Sequence, residues 1–204
     1  MTIYLHCEGN SDYAVIPHLI KKVLNITDLE MIWIKRKELE EFRTHRKEEM
    51  KYHFKYILAL AYYSHINKCK NIAFHIDSDN EYFERYSKIQ DDFKKQKKDG
   101  KFHCLAVVPK KTIESWLLAD ENAYPSIPKN PKLPAKPEEL WGNVNEENTD
   151  HPKKYFYRIL NQFNLEKNSD TYANIAENID IKTLAEKCKV SFGQFIRDAQ
   201  DFLK

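Results

Sequence analysis

Four short apolar runs, each followed by a segment with helical spacing, constrain this chain more than any other feature. Ile3-Tyr4-Leu5-His6-Cys7, Met31-Ile32-Trp33-Ile34, Asn71 to Ile76 and Phe102 to Val108 read as strands buried on both faces. The helix after the first run carries Val15, Ile16, Leu19, Ile20, Val23 and Leu24 on one face, with Ser11 as its expected N-cap. The second run leads into a long charged helical region from Glu38 to Asn67, with Phe42, Phe54, Ile57, Leu58 and Ala61 apolar. A helix from Glu81 to Lys98 follows the third run, and one containing Ile113, Trp116, Leu117 and Leu118 follows the fourth. Strand alternating with helix requires crossover connections, so the expected fold is α/β with a mostly parallel, four-stranded, Rossmann-like sheet flanked by helices.

The pattern changes after residue 120. Six of the eight prolines (125, 128, 131, 134, 137 and 152) fall between Tyr124 and Pro152, which predicts an irregular excursion. Beyond it only helices are expected, near Lys153 to Asn164, Ile181 to Lys189 and Phe192 to Leu203, with Asp180 capping the second. The domain reading is therefore an α/β unit over 1–120, an excursion over 121–152 and a helical extension over 153–204.

Composition narrows the class. With 42% hydrophobic residues over 204 positions the chain can bury a real core. No run approaches the ~18 apolar residues of a membrane span, and the N-terminus enters a strand at once, so a cytoplasmic protein is expected. Cys7, Cys69, Cys104 and Cys188 lack paired spacing and read as reduced thiols. A net charge of +2 makes any phosphate-binding surface a local one.

Acidic residues stand where such a sheet concentrates chemistry. Glu8 and Asp77 each follow a strand, and in a parallel sheet the functional crevice lies outside the carboxyl ends of the strands. Asp12 falls one helical turn beyond Glu8, and Asp79, two residues after Asp77 in extended backbone, is expected on the same side. Four clustered carboxylates repel by about 4 kcal/mol per pair at ~4 Å and an effective dielectric of ~20. Bound cations or raised pKa values are what stabilise such a cluster.

Oxygen-only ligands favour Mg2+ or Mn2+ over zinc and point to phosphate chemistry. Glu8, Asp12, Asp77, Asp79 and Glu114 are the expected metal ligands, with Glu8, Asp77, Asp79 and the cations Lys110 and Lys111 as the catalytic set. Asp120 is a weaker candidate and reads better as a cap. Lys35, Arg36 and Lys37 follow the second strand on the same rim and are the expected nucleic-acid contact. Lys94-Lys95-Gln96-Lys97-Lys98 reads as a solvated helix end, and His151-Pro152-Lys153-Lys154 is a further phosphate-seeking group of unfixed position. His6, His75 and His103 read as packed histidines, with a zinc site the less favoured alternative.

At these residues the chain resembles a known superfamily. Glu8-Gly9-x-Ser11-Asp12 is similar to the Glu-Gly-x-Ser/Thr-Asp/Glu opening of the Toprim domain, and Asp77-x-Asp79 to its Asp-x-Asp motif. The segment from Val108 to Asp120 resembles small standalone bacterial Toprim-like proteins related to the nuclease halves of OLD-type (overcoming-lysogenization-defect) proteins. The resemblance covers residues 1–120 and implies a divalent-metal-dependent nuclease acting on nucleic-acid phosphodiesters. It also implies a separate ATPase partner and a role in anti-phage defence. The rival reading is a non-catalytic nucleic-acid or protein-binding partner that keeps the acidic rim. A small-molecule phosphotransferase or phosphatase is disfavoured, because four glycines supply no phosphate-binding loop.

Overall fold

In the computed structural model the apolar runs form β1 (Thr2–His6), β2 (Glu30–Trp33), β3 (Asn71–His75) and β4 (His103–Val107). All pair in parallel, in the order β2-β1-β3-β4. The structure describes residues 1–41, 52–79, 81–97, 102–124, 145–146 and 148–202. The Pro-rich excursion therefore lies largely outside the described residues, as do Phe42, Lys98 and Asp99-Gly100.

Register explains why the strands read as continuously apolar. Leu5 sits opposite Trp33 on one side and Ala73 on the other, and Ala73 opposite Leu105. Successive side chains alternate between faces. On one face Ile3, Leu5, Cys7, Ala73, Leu105 and Val107 join a core with helix α1 (Asn10–Leu24) and the C-terminal helices. On the other, Ile72, Phe74, Ile76, Cys104 and Ala106 pack with helices α3 (Tyr52–Ile66) and α4 (Tyr82–Lys97). A sheet covered on both sides needs apolar residues at every strand position.

The helices differ from expectation in three places. Gly9, not Ser11, is the N-cap of α1, and the Asp12 carboxylate accepts the Gly9 N–H at 2.9 Å. The 38–67 region contains α2 (Arg36–Glu41) and α3, with residues 42–51 between them outside the described set. Helix α5 (Ile113–Leu117) is a short element whose Trp116 is fully buried, its indole N–H donating to Ser191 Oγ at 2.8 Å.

The C-terminal region holds α6 (Pro152–Gln162), α7 (Ser169–Asn178), α8 (Ile181–Lys187) and α9 (Ser191–Phe202). Helix α7 has no counterpart in the sequence reading, yet it packs along α1. Asp180 caps α8 as expected, accepting from Thr183 N–H at 2.9 Å. Phe192 and Phe195 pack on Trp116 at centroid separations of 5.0 and 5.7 Å, joining α9 to the core of the sheet. All four cysteines are free thiols. Among the described residues no helix is long and apolar enough to cross a membrane.

Candidate functional site

The strand order locates the crevice. The chain leaves β1 toward β2 on one side and returns to β3 on the other, so the sheet reverses direction between β1 and β3. In open α/β sheets ligands bind outside the carboxyl ends of the strands at such a reversal. Glu8 stands two residues past the end of β1 and Asp77 two past the end of β3. They therefore flank the reversal, Glu8 exposed and Asp77 half-buried.

Asp12 and Asp77 bracket a buried histidine. His75 Nδ1 lies 3.8 Å from Asp12 Oδ2, and His75 Nε2 lies 3.5 Å from Asp77 Oδ1. Both separations exceed a good hydrogen bond, so neither ring nitrogen, though fully buried, has a hydrogen-bond partner. Burial alone pulls His75 down, but Asp12, Asp77 and Glu8 outweigh it and the net push on its pKa is upward. Desolvation, reinforced by Asp77, raises the carboxyls of both Asp12 and Glu8, against the opposing pull of His75. The rim thus holds protons more tightly than separate acids would, as crowded carboxylates do in the absence of a cation.

Asp77 also organises the loops. Its Oδ1 accepts the Ile113 N–H at 3.0 Å, tying β3 to the start of α5. Asp79 N–H donates to Lys111 O at 3.1 Å, and Ser78 Oγ donates to Lys110 O, so the loops after β3 and β4 are fastened together. Asp79 does not join the cluster. Its φ of 48° turns the chain out of the extended path, and its exposed carboxylate pairs with Arg85 at 3.2 Å. Aspartate tolerates this left-handed backbone better than most residues.

Glu114 is not the helix-surface acid its spacing suggested. It is 2% exposed; Oε1 accepts from Tyr172 Oη–H at 3.2 Å, while Oε2 is buried without a partner. Desolvation, and then the Glu114 charge, push the Tyr172 hydroxyl far upward, so it stays a donor. Asp120 is structural: Oδ1 caps the turn at Glu121–Ala123 and Oδ2 accepts Asp180 N–H at 2.8 Å.

The cations are arranged differently from the sequence reading. Lys111 is buried, its ammonium donating to Thr149 O at 2.6 Å and lying 3.5 Å from Asp150. Lys110 is half-buried at the tip of the same loop. Lys153, on the first turn of α6, reaches the acids instead. Desolvation pulls its pKa down, but Glu114, with Tyr157, Asp77 and Asp12, drives it upward overall. A cleft of about 670 Å³ opens here, lined by Asp79, Lys111, Thr112, His151, Lys153 and Tyr157 among others. Thr112 Oγ1 is also buried without a partner.

Lys35, Arg36 and Lys37 are exposed after β2, with Lys35 over the Trp33 ring at 5.1 Å and Arg36 paired to Glu40 at 3.0 Å. Lys94 and Lys95 pair with Asp91 and Asp92 on their own helix. His6 is an ordinary packed histidine, stacked on Tyr56 and 2.9 Å from Ile34 O.

The donor chemistry of the rim fits a hard divalent cation: acidic oxygens, one of them buried and unsatisfied, crowded enough to bind protons. As the side chains stand, however, no three Asp, Glu, His or Cys groups among the described residues are close enough together to hold an ion.

Fold and site together define an α/β protein with a carboxylate rim at the reversal point of a parallel sheet. The sequence model of the family described as Domain of unknown function (DUF4276) matches residues 7–198, and the chain belongs to that family. No curated protein and no solved structure matches the chain.

Proposed function

We propose that the protein is a divalent-metal-dependent nuclease of Toprim-like type, hydrolysing nucleic-acid phosphodiesters. The observation that carries this reading is the position of Glu8 and Asp77 at the sheet reversal, with Asp12 beside them and a cationic wall across the cleft. Glu8, Asp12, Asp77 and Glu114 are the residues that would hold Mg2+ or Mn2+. When bound, such an ion supplies a Lewis acid for the phosphoryl oxygens and lowers the pKa of a coordinated water.

The chain's own groups do the rest. Lys153, facing the acids, holds the non-bridging oxygens of the scissile phosphate and offsets charge as it develops. Lys111, occupied by Thr149 and Asp150, fixes the wall that carries Lys153. Lys35, Arg36 and Lys37 guide the flanking backbone along the rim. The motif resemblance to Toprim-like relatives of OLD-type nucleases supports the same activity, with a separate ATPase as partner and anti-phage defence as the setting.

The test is cleavage of single- and double-stranded DNA and RNA with Mg2+ or Mn2+, comparing wild type with Asp77→Asn. Cleavage by the wild type with a loss of ~100-fold or more in the variant is expected. Equal cleavage by both would remove Asp77 from the mechanism. Silence from both, with metal bound, would leave the non-catalytic binding partner as the better reading.

A further inference from the structure

Glu114 poses a physical problem the nuclease reading leaves open. A carboxylate 2% exposed should have both oxygens satisfied, since each unpaired buried acceptor costs ~1–3 kcal/mol or more when charged. One oxygen is satisfied, by a hydroxyl from α7, and the other is not. The neighbouring Ile113 N–H is already given to Asp77. The single hydrogen bond therefore fixes which oxygen of Glu114 is left to a ligand.

We propose that Tyr172 is a positioning residue for the metal site: its hydroxyl holds Oε1 of Glu114 and leaves Oε2 as the oxygen that takes the cation. The inference rests on the metal reading above and extends it, because it makes the C-terminal helices part of the site. Tyr172 is well held for the task. Its ring is buried and meets Phe156 edge-on at 5.0 Å, and α7 packs along α1, the helix that carries Asp12. The element that orients Glu114 is thereby coupled to the element that presents Asp12. Partners that orient a ligating carboxylate in this way typically change metal affinity 10–100-fold when removed.

The variant Tyr172→Phe keeps the ring and its packing and deletes only the hydroxyl. Calorimetric titration of the full-length protein with Mn2+ alone, without nucleic acid, gives a readout independent of turnover. Mn2+ affinity is expected to fall by ~10-fold or more in Tyr172→Phe. Glu114→Gln supplies the second arm. If Tyr172 acts through Glu114, adding Tyr172→Phe to Glu114→Gln weakens binding no further. Unchanged Mn2+ affinity in Tyr172→Phe overturns the inference while the metal reading stands, and so does a full additional loss in the double variant. A wild type that binds no Mn2+ overturns both. A purely structural hydroxyl would lower the thermal midpoint and leave the Mn2+ affinity untouched, which the same proteins report by melting.

Discussion

Replacing Glu146 by Ala should destabilise the protein by an amount that can be worked from its contacts. The carboxylate is 1% exposed; it accepts the Val190 N–H at 2.5 Å, the Ser191 N–H at 3.2 Å and the Ser191 hydroxyl at 2.5 Å. It thus serves as the acceptor for the first turn of α9, which in turn positions Phe192 and Phe195 on Trp116. Truncation orphans two buried N–H donors at ~1–3 kcal/mol each, a range of ~2–6 kcal/mol. The Ser191 hydroxyl adds little, since it can rotate while still accepting from Trp116. Truncation also relieves the desolvation of a buried charge, which favours the lower part of the range, ~2–4 kcal/mol. For a chain of this length that is about 5–15 °C in thermal midpoint. Glu146→Gln retains an acceptor and should lose less than half as much. Urea unfolding of wild type, Glu146→Ala and Glu146→Gln, fitted with a common slope, provides the measurement. A loss under ~1 kcal/mol for Ala, or equal losses for Ala and Gln, would refute the reasoning. Because Thr149 and Asp150 follow in the same segment and hold Lys111, Glu146→Ala should also weaken any activity that depends on the cleft.

Two further outcomes follow from the site and its surroundings. Glu8→Gln should abolish metal-dependent cleavage without lowering the thermal midpoint, since the raised pKa of Glu8 means that its charge is disfavoured where it stands; a marked loss of stability would assign it a structural role instead. His18 is held below the ordinary histidine pKa, by desolvation first and then by Lys21 and Lys22, against the pull of Glu177. Its contribution to stability is therefore present above its unfolded pKa of ~6.5 and lost as pH falls from there toward the lower folded value. Histidine proton NMR should show the depressed titration, and His18→Gln should flatten the acid side of the stability profile relative to wild type; an unshifted His18 would contradict this.

Much of the fold was legible because the signals were short and clean. A five-residue run such as Asn71–His75, with a helix on either side, has few roles other than a buried parallel strand. Glu8, Asp12 and Asp77 were legible for the same reason: strand ends fix which residues reach the rim. What escaped depended on local backbone or on distant packing. Asp79 was expected beside Asp77 on the assumption of extended backbone, and its positive φ sends it to Arg85. The burial of Glu114 could not be read from α5, because the cover comes from Tyr172, 58 residues away. Lys153 reaches the acids through the packing of α6, whereas Lys111, nearer in sequence, is engaged elsewhere. Helix α7 did carry a signal, Tyr172, Ile175, Ala176 and Ile179 at helical spacing, with all four residues buried. Its dense polar content, Ser169-Asp170-Thr171 and Asn174 among others, hid that stripe.

The account stands or falls on whether the rim takes a divalent cation. Crystals of the protein soaked in Mn2+ and measured for anomalous scattering give the direct answer. The account predicts an anomalous peak among Glu8, Asp12, Asp77 and Glu114, at the carboxyl ends of β1 and β3, which disappears in Asp77→Asn. A peak elsewhere on the molecule, or none at saturating Mn2+, would contradict it.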